Sequence, residues 1–266
     1  MPHPLALCHY TMIDVAPPDL VTLAAEVGFD AVSLMLQFPV GIGAGYPMHG
    51  DTAMRRETRR RLDDCGVMLY DASTCRLEPD TDVESFRPMM ESAAYLGAAR
   101  FNVNGNDPDE ARLCDRFAAL CALGAEHGVG AGIEFMMITC VRTIDDAVRL
   151  ITRSAVTNAA LTIDAVHLAR SGGTAAHVAA LDPSLISYVQ LCDGPATIAP
   201  DRYVWEAGTE RMLPGEGELP LRSLVEAIGP DVVVGVEAPS QRRRDAGESA
   251  FEYAARASRS LRMLAL

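Results

Sequence analysis

The chain has 266 residues, with 36 acidic side chains against 23 basic ones and a formal net charge of −13. All 23 basic residues are arginine, which excludes mechanisms that need a lysine amine: Schiff-base aldolases, pyridoxal-phosphate enzymes, P-loop nucleotide hydrolases and lysine-dependent sugar isomerases. The acid excess also argues against a nucleic-acid partner, because phosphate neutralisation needs a basic surface.

Short apolar runs fall at 5–9, 31–36, 67–71, 99–104, 130–135, 160–164, 187–191 and 232–237. Their apolar character is nearly continuous, as expected of parallel strands covered on both faces. Amphipathic segments lie between them, near 17–27, 50–65, 80–97, 108–127, 143–153, 174–180, 220–228 and 245–264. Several open with helix-start signals, such as Pro17-Pro18-Asp19, Asp107-Pro108-Asp109 and Thr143-Ile144-Asp145-Asp146. Eight strands alternating with eight helices predict a (β/α)8 TIM barrel; a doubly wound open sheet is the competing reading. No linker or self-similar repeat divides residues 1–266, so one domain is expected. Two connections are long, 37–49 and 192–219, and both follow strand ends, on the catalytic face of such a barrel.

Seven cysteines, an odd count without a CxxC pair, read as reduced thiols. The start of the sequence lacks a secretory pattern, and no apolar stretch reaches the roughly 20 residues of a membrane span. A cytoplasmic protein without a membrane partner is expected.

The last four strands each end on a metal-capable side chain: Glu134, Asp164, Gln190 and Glu237. In a closed barrel these positions meet at the mouth. Three converging carboxylates repel each other unless protonated or bound to a cation, and oxygen ligands favour Mn²⁺, Mg²⁺ or Co²⁺ over structural Zn²⁺.

At these residues the chain resembles the xylose isomerase-like barrel superfamily, whose members include D-tagatose 3-epimerase, hydroxypyruvate isomerase and inosose dehydratase. Gly132-Ile133-Glu134-Phe135, Ile163-Asp164-Ala165-Val166-His167-Leu168, Tyr188-Val189-Gln190-Leu191-Cys192-Asp193, Leu213-Pro214-Gly215-Glu216-Gly217 and Val236-Glu237 carry the resemblance. It implies one divalent metal ion held by Glu134, Asp164, Gln190 and Glu237, with zinc among the candidates. Glu134 and Glu237 would be the catalytic acid/base pair that moves a proton beside a substrate carbonyl. His167 would contact substrate oxygen, and Arg211, with Arg202 second, would grip the substrate. Xylose isomerase itself uses an active-site lysine, so that identity does not fit. Two departures stand out: Gln190 where many members have histidine, and Cys140 where epimerases often carry a further glutamate.

His9, at the end of the first strand, is open between pocket lining and packing. Trp205, the single tryptophan, lies on the second long connection and is a candidate for substrate contact. The arginines at 55–61 read as a salt-bridged outer face, and Arg242-Arg243-Arg244 as a solvated helix start or a phosphate site. The reading is a metal-dependent isomerase or epimerase of a small polyhydroxy carbonyl compound. A keto-sugar dehydratase or lyase on the same barrel is the alternative. An apurinic-site endonuclease and a catalytically silent binding protein are the more distant rivals. The resemblance also implies a homo-oligomer, a dimer or tetramer.

Overall fold

The computed structural model describes residues 3–39 and 45–264. Eight parallel strands close into a barrel in sequence order: β1 Leu5–Cys8, β2 Ala31–Met35, β3 Met68–Leu77, β4 Arg100–Gly105, β5 Gly130–Glu134, β6 Ala159–Asp164, β7 Ile186–Leu191 and β8 Val233–Val236. The closing pair aligns Ala6 with Gly235, so no strand edge is left open. Around it run α1 Pro17–Glu26, α2 Ala53–Cys65, α3 Arg87–Leu96, α4 Glu110–Glu126, α5 Ile144–Arg153, α6 Ala165–Arg170, α7 Ala175–Ala179, α8 Tyr203–Gly208, α9 Leu221–Glu226, α10 Gln241–Asp245 and α11 Ala250–Met263. The structure is therefore the predicted single-domain (β/α)8 barrel. Among the described residues, no helix is long and apolar enough to cross a membrane.

Helix ends follow the local chemistry. Thr143 and Ser249 form capping boxes with Asp146 and Glu252, each satisfying backbone N–H groups that the first turn leaves free. Gly66 and Gly97 close α2 and α3 with φ of 65° and 79°, a conformation that side chains with a Cβ resist. The arginines of α2 do form an outer ion-pair face, for example Arg60 with Glu57 at 2.6 Å and with Asp64 at 2.5 Å.

Alternation along each strand separates two cores. Leu7, Val189 and Val234 join the large apolar layer between barrel and helices, whereas Ala6, Cys8, Tyr188 and Val233 form a small cluster inside the barrel. The barrel interior below the mouth is unusually polar. Arg100 donates to the Ala131 carbonyl at 2.7 Å, Ser33 donates to Asp71 at 3.0 Å, and the Tyr188 hydroxyl lies 3.0 Å from Cys8 Sγ. Burial pushes the Asp71 carboxyl up to about 6, against the pull of the Arg100 charge and the Ser33 hydrogen bond.

β3 continues to Leu77, beyond the expected end at residue 71, because a register shift between Ala72 and Cys75 lets it keep pairing with β4. Asp71, read from sequence as a terminal acid, is instead buried within the strand. Short helices α6, α8 and α10 occupy segments read as connections.

Candidate active site

The mouth of the barrel holds a pocket of about 240 Å³, lined among others by Glu134, Gln190, Glu237, His167 and Arg211. Glu134 and Asp164 are the last residues of β5 and β6, Gln190 lies one residue before the end of β7, and Glu237 follows β8 directly. Glu134, Asp164 and Glu237 each offer an oxygen within 4.8 Å of the others. The Gln190 side-chain amide donates to Glu237 Oε1 at 2.9 Å. Its own oxygen is buried without a protein partner.

Arg211 reaches into the carboxylates from the 192–220 connection. Its Nη1 donates to Asp164 Oδ2 at 2.7 Å and to Glu237 Oε2 at 3.3 Å. Although burial opposes its charge, these carboxylates outweigh the penalty and hold the guanidinium firmly protonated. Asp164 is also the N-cap of α6, accepting from the His167 backbone N–H at 2.9 Å. Burial disfavours the Asp164 charge, but the Arg211 guanidinium prevails and the carboxyl stays below its usual range. His167 Nε2 lies 3.4 Å from Arg211 Nη2 and 3.9 Å from Glu134 Oε1. Burial lowers the imidazole to about 4, so it is neutral at pH 7. Three carboxyls face one guanidinium here, so full ionisation would leave two negative charges, a state that burial opposes and that a divalent cation would stabilise.

Glu134 is held from one side only. Asn102 and Asn104 both donate to Oε2, at 3.0 and 3.2 Å, while Oε1 accepts no hydrogen bond from the described residues. Burial first, and the Asp164 charge second, raise its carboxyl to about 7. Burial likewise raises Glu237 well above the ordinary carboxylate range. Two carboxyls with different partners and elevated pKa are the equipment of proton transfer.

The two asparagines escaped the sequence reading, although their alternation on β4 placed both toward the mouth. Tyr10 and Arg76, which also line the pocket, carried no signal of their own. His9, Arg202 and Trp205 lie outside the lining. His9 is a packing residue: Nε2 meets the Val15 carbonyl at 2.9 Å, Nδ1 accepts from the Met35 N–H at 3.2 Å, and its ring stacks on Tyr46. Arg202 sits 3.9 Å over the ring of Trp205, which is 42% exposed; Val204 and Ala207 of the same helix face the pocket instead. Of the triple arginine, Arg243 is buried and donates to Asp14 at 2.7 Å. Of the first long connection, Pro39 lines the pocket, and residues 40–44 lie outside the described residues.

The second long connection is folded onto two buried acids. Asp193 accepts from Gly194, Leu219 and Gly215 backbone N–H groups at 2.9, 3.0 and 2.9 Å, which explains the Leu213-Pro214-Gly215-Glu216-Gly217 segment as a wrap around one carboxylate. A Cβ on Gly217 would lie 2.4 Å from Asp193 Oδ1. Glu206 on α8 receives the Arg170 fork of α6 at 2.6 and 2.7 Å, both side chains being buried.

The sequence profile described as xylose isomerase-like TIM barrel matches residues 21–264. The chain belongs to that family. A comparison with curated proteins by sequence gave no match. Among solved structures, 99% of this xylose isomerase-like barrel superposes on a xylose isomerase-like TIM barrel/4-hydroxyphenylpyruvate dioxygenase fusion protein, with a TM-score of 0.81 and 18% identity. The chain spans 43% of that fusion's length. The IolI protein carrying a zinc atom matches with a TM-score of 0.78 and 16% identity over 98% of this chain and 97% of its own. D-psicose 3-epimerase from Clostridium cellulolyticum H10 matches with a TM-score of 0.76 and 14% identity over 100% of this chain and 98% of its own. A probable 3-DHS dehydratase, AsbF from Bacillus anthracis, shares the fold at a TM-score of 0.73 and 16% identity, over 98% of this chain and 99% of its own.

Proposed function

We propose that this barrel is a divalent-metal-dependent isomerase or epimerase of a small polyhydroxy carbonyl compound. The observation that carries the reading is the convergence of Glu134, Asp164 and Glu237 within 4.8 Å at the barrel mouth. The donor set fits a hard divalent cation: three carboxyls that burial keeps from ionising together, one guanidinium, and a Gln190 amide oxygen that is buried without a partner. Glu134, Asp164, Gln190 and Glu237 would hold the ion, with Mn²⁺, Mg²⁺ or Co²⁺ favoured by all-oxygen ligation. Such an ion supplies electrostatic stabilisation of negative charge as it develops on substrate oxygens.

The chain's own residues carry the proton. Glu134 Oε1, bare of hydrogen bonds and near pKa 7, takes a proton from the carbon beside the carbonyl. Glu237 returns one to the other face or the neighbouring carbon, and Gln190 fixes its position. His167, kept neutral, contacts substrate oxygen, and Arg211 steadies developing negative charge. His9, Arg202 and Trp205 have no part in this scheme. Elimination from a keto-sugar shares the same first proton transfer, and the dehydratase neighbour supports keeping it as the second reading.

Metal analysis of purified protein is the first test. One equivalent of Mn²⁺ or Co²⁺, lost in Glu237→Gln, is expected; no uptake of any divalent ion overturns the metal reading. Solvent deuterium incorporation at the substrate carbon, abolished in Glu134→Gln, tests proton transfer. Release of water identifies elimination.

A further inference from the structure

We propose that the pocket selects a substrate with a carboxylate at the end remote from Glu134 and Glu237, and that Arg76 is the residue that selects it. The inference rests on the function proposed above and concerns the opposite end of the same pocket.

Four charged side chains line the pocket: Glu134, Glu237, Arg211 and Arg76. Arg211 is committed to Asp164 and Glu237. Arg76 is therefore the lining cation not engaged by the acidic cluster. It lies in register with Asn104 of β4, which lies in register with Glu134 of β5, so the three side chains form one row across adjacent strands. Strand spacing places the Arg76 backbone about 10 Å from that of Glu134, which is the separation of two ends of a small molecule and not of one group.

The state of the guanidinium matters as much as its place. Its ion partner is Glu78, with Nε 2.5 Å from Oε1, and the side chain remains 42% exposed. Asn106 donates to both oxygens of the same Glu78, at 3.0 and 2.8 Å, which fixes that carboxylate behind the arginine. With Glu78 on its Nε side, the guanidinium keeps its two terminal nitrogens as a planar edge, the geometry that pairs with a carboxylate through two parallel hydrogen bonds. No described residue accepts a hydrogen bond from those nitrogens. Ser73 and Thr74 from the same strand add hydroxyls to this wall. The wall from the β5 and β7 connections, Met136, Ile138 and Val204, offers apolar side chains without a hydrogen-bond donor. A neutral polyol would gain only single hydrogen bonds from the guanidinium, whereas a carboxylate gains a charge-assisted pair. A phosphate dianion would bring a second negative charge toward Glu78, so a carboxylate fits better.

Titration calorimetry on Mn²⁺-loaded protein with three ketoses that differ only at carbon six tests this: D-fructuronate, D-fructose and D-fructose 6-phosphate. The uronate should bind about tenfold more tightly than D-fructose or better, the size of one charge-assisted pair. Arg76→Gln should remove that gap by weakening the uronate, and Arg76→Lys should restore part of it. Equal affinities in the parent, a gap that survives Arg76→Gln, tighter binding of the phosphate, or no binding of any ketose would each overturn the proposal. Mn²⁺ uptake measured alone reports on the metal reading, so the two failures are told apart. Thermal melts of both variants confirm that the exposed position tolerates substitution.

Discussion

The polar floor beneath the carboxylates of the barrel mouth is most directly probed at Gly235. A Cβ built there would lie 2.2 Å from the Tyr188 hydroxyl oxygen, and 2.9 Å from both Cys8 Sγ and Tyr188 Cζ. Tyr188 is fully buried and its hydroxyl sits 3.0 Å from Cys8, so the ring has no free space to yield. Overpacking of this kind costs about 1–3 kcal/mol, and it must also cancel the roughly 0.5–1 kcal/mol that alanine gains over glycine in a strand. Gly235→Ala is therefore expected to lower the urea midpoint at unchanged slope. Tyr188→Phe removes the closest atom and forfeits one buried hydrogen bond, about 0.5–1.5 kcal/mol. Cys8 and the ring carbon still crowd the site, so the double variant should be only partly relieved, with a coupling of about 1 kcal/mol relative to the sum of the singles. Strict additivity, or a Gly235→Ala protein as stable as the parent, would refute the reasoning. Because Gln190 and Glu237 stand two residues above Tyr188 and Gly235, the same variant should also weaken Mn²⁺ binding.

Three further outcomes follow from the geometry. Asp71 holds its proton to about pH 6 in the folded barrel against an ordinary value of 3.8, so the folded state binds more protons between those limits. Its contribution is therefore full below pH 3.8 and lost as pH rises to 6, by about 3 kcal/mol at most; urea melts across that window should lose the corresponding slope in Asp71→Asn. Arg170→Ala strands Glu206 in the interior and should cost about 3–5 kcal/mol, with protease cleavage appearing in 192–220 before the barrel is cut; cleavage elsewhere first would count against it. Mn²⁺ at about 100 times its dissociation constant should stabilise the protein by about 2.7 kcal/mol, an effect that chelator reverses and Glu237→Gln lacks.

The barrel was readable because buried parallel strands write themselves as short apolar runs, and the converging acids were readable because each interrupts such a run at its end. What escaped depends on partners distant in sequence. β3 runs past Asp71 through its pairing with β4, and the acid within it is met by Ser33 and Arg100, neither of which lies near it in the chain. Asp164 starts α6 with the same side chain that serves the acidic cluster, so helix and strand abut without the loop that signals a boundary. His9 and Arg202 have the right residue type for substrate contact, but Tyr46 and Trp205 hold them aside. Asn102 and Asn104, neutral amides on an ordinary-looking strand, gain meaning only when Glu134 lies beside them.

The placement of Trp205 has a practical consequence. It is the chain's single tryptophan, it rests under the Arg202 guanidinium, and its neighbours Val204 and Ala207 on the same helical turns form one wall of the pocket. The tryptophan emission of the whole protein thus originates at one point, just behind that wall. Any displacement of α8 when the pocket fills is recorded there without an added label.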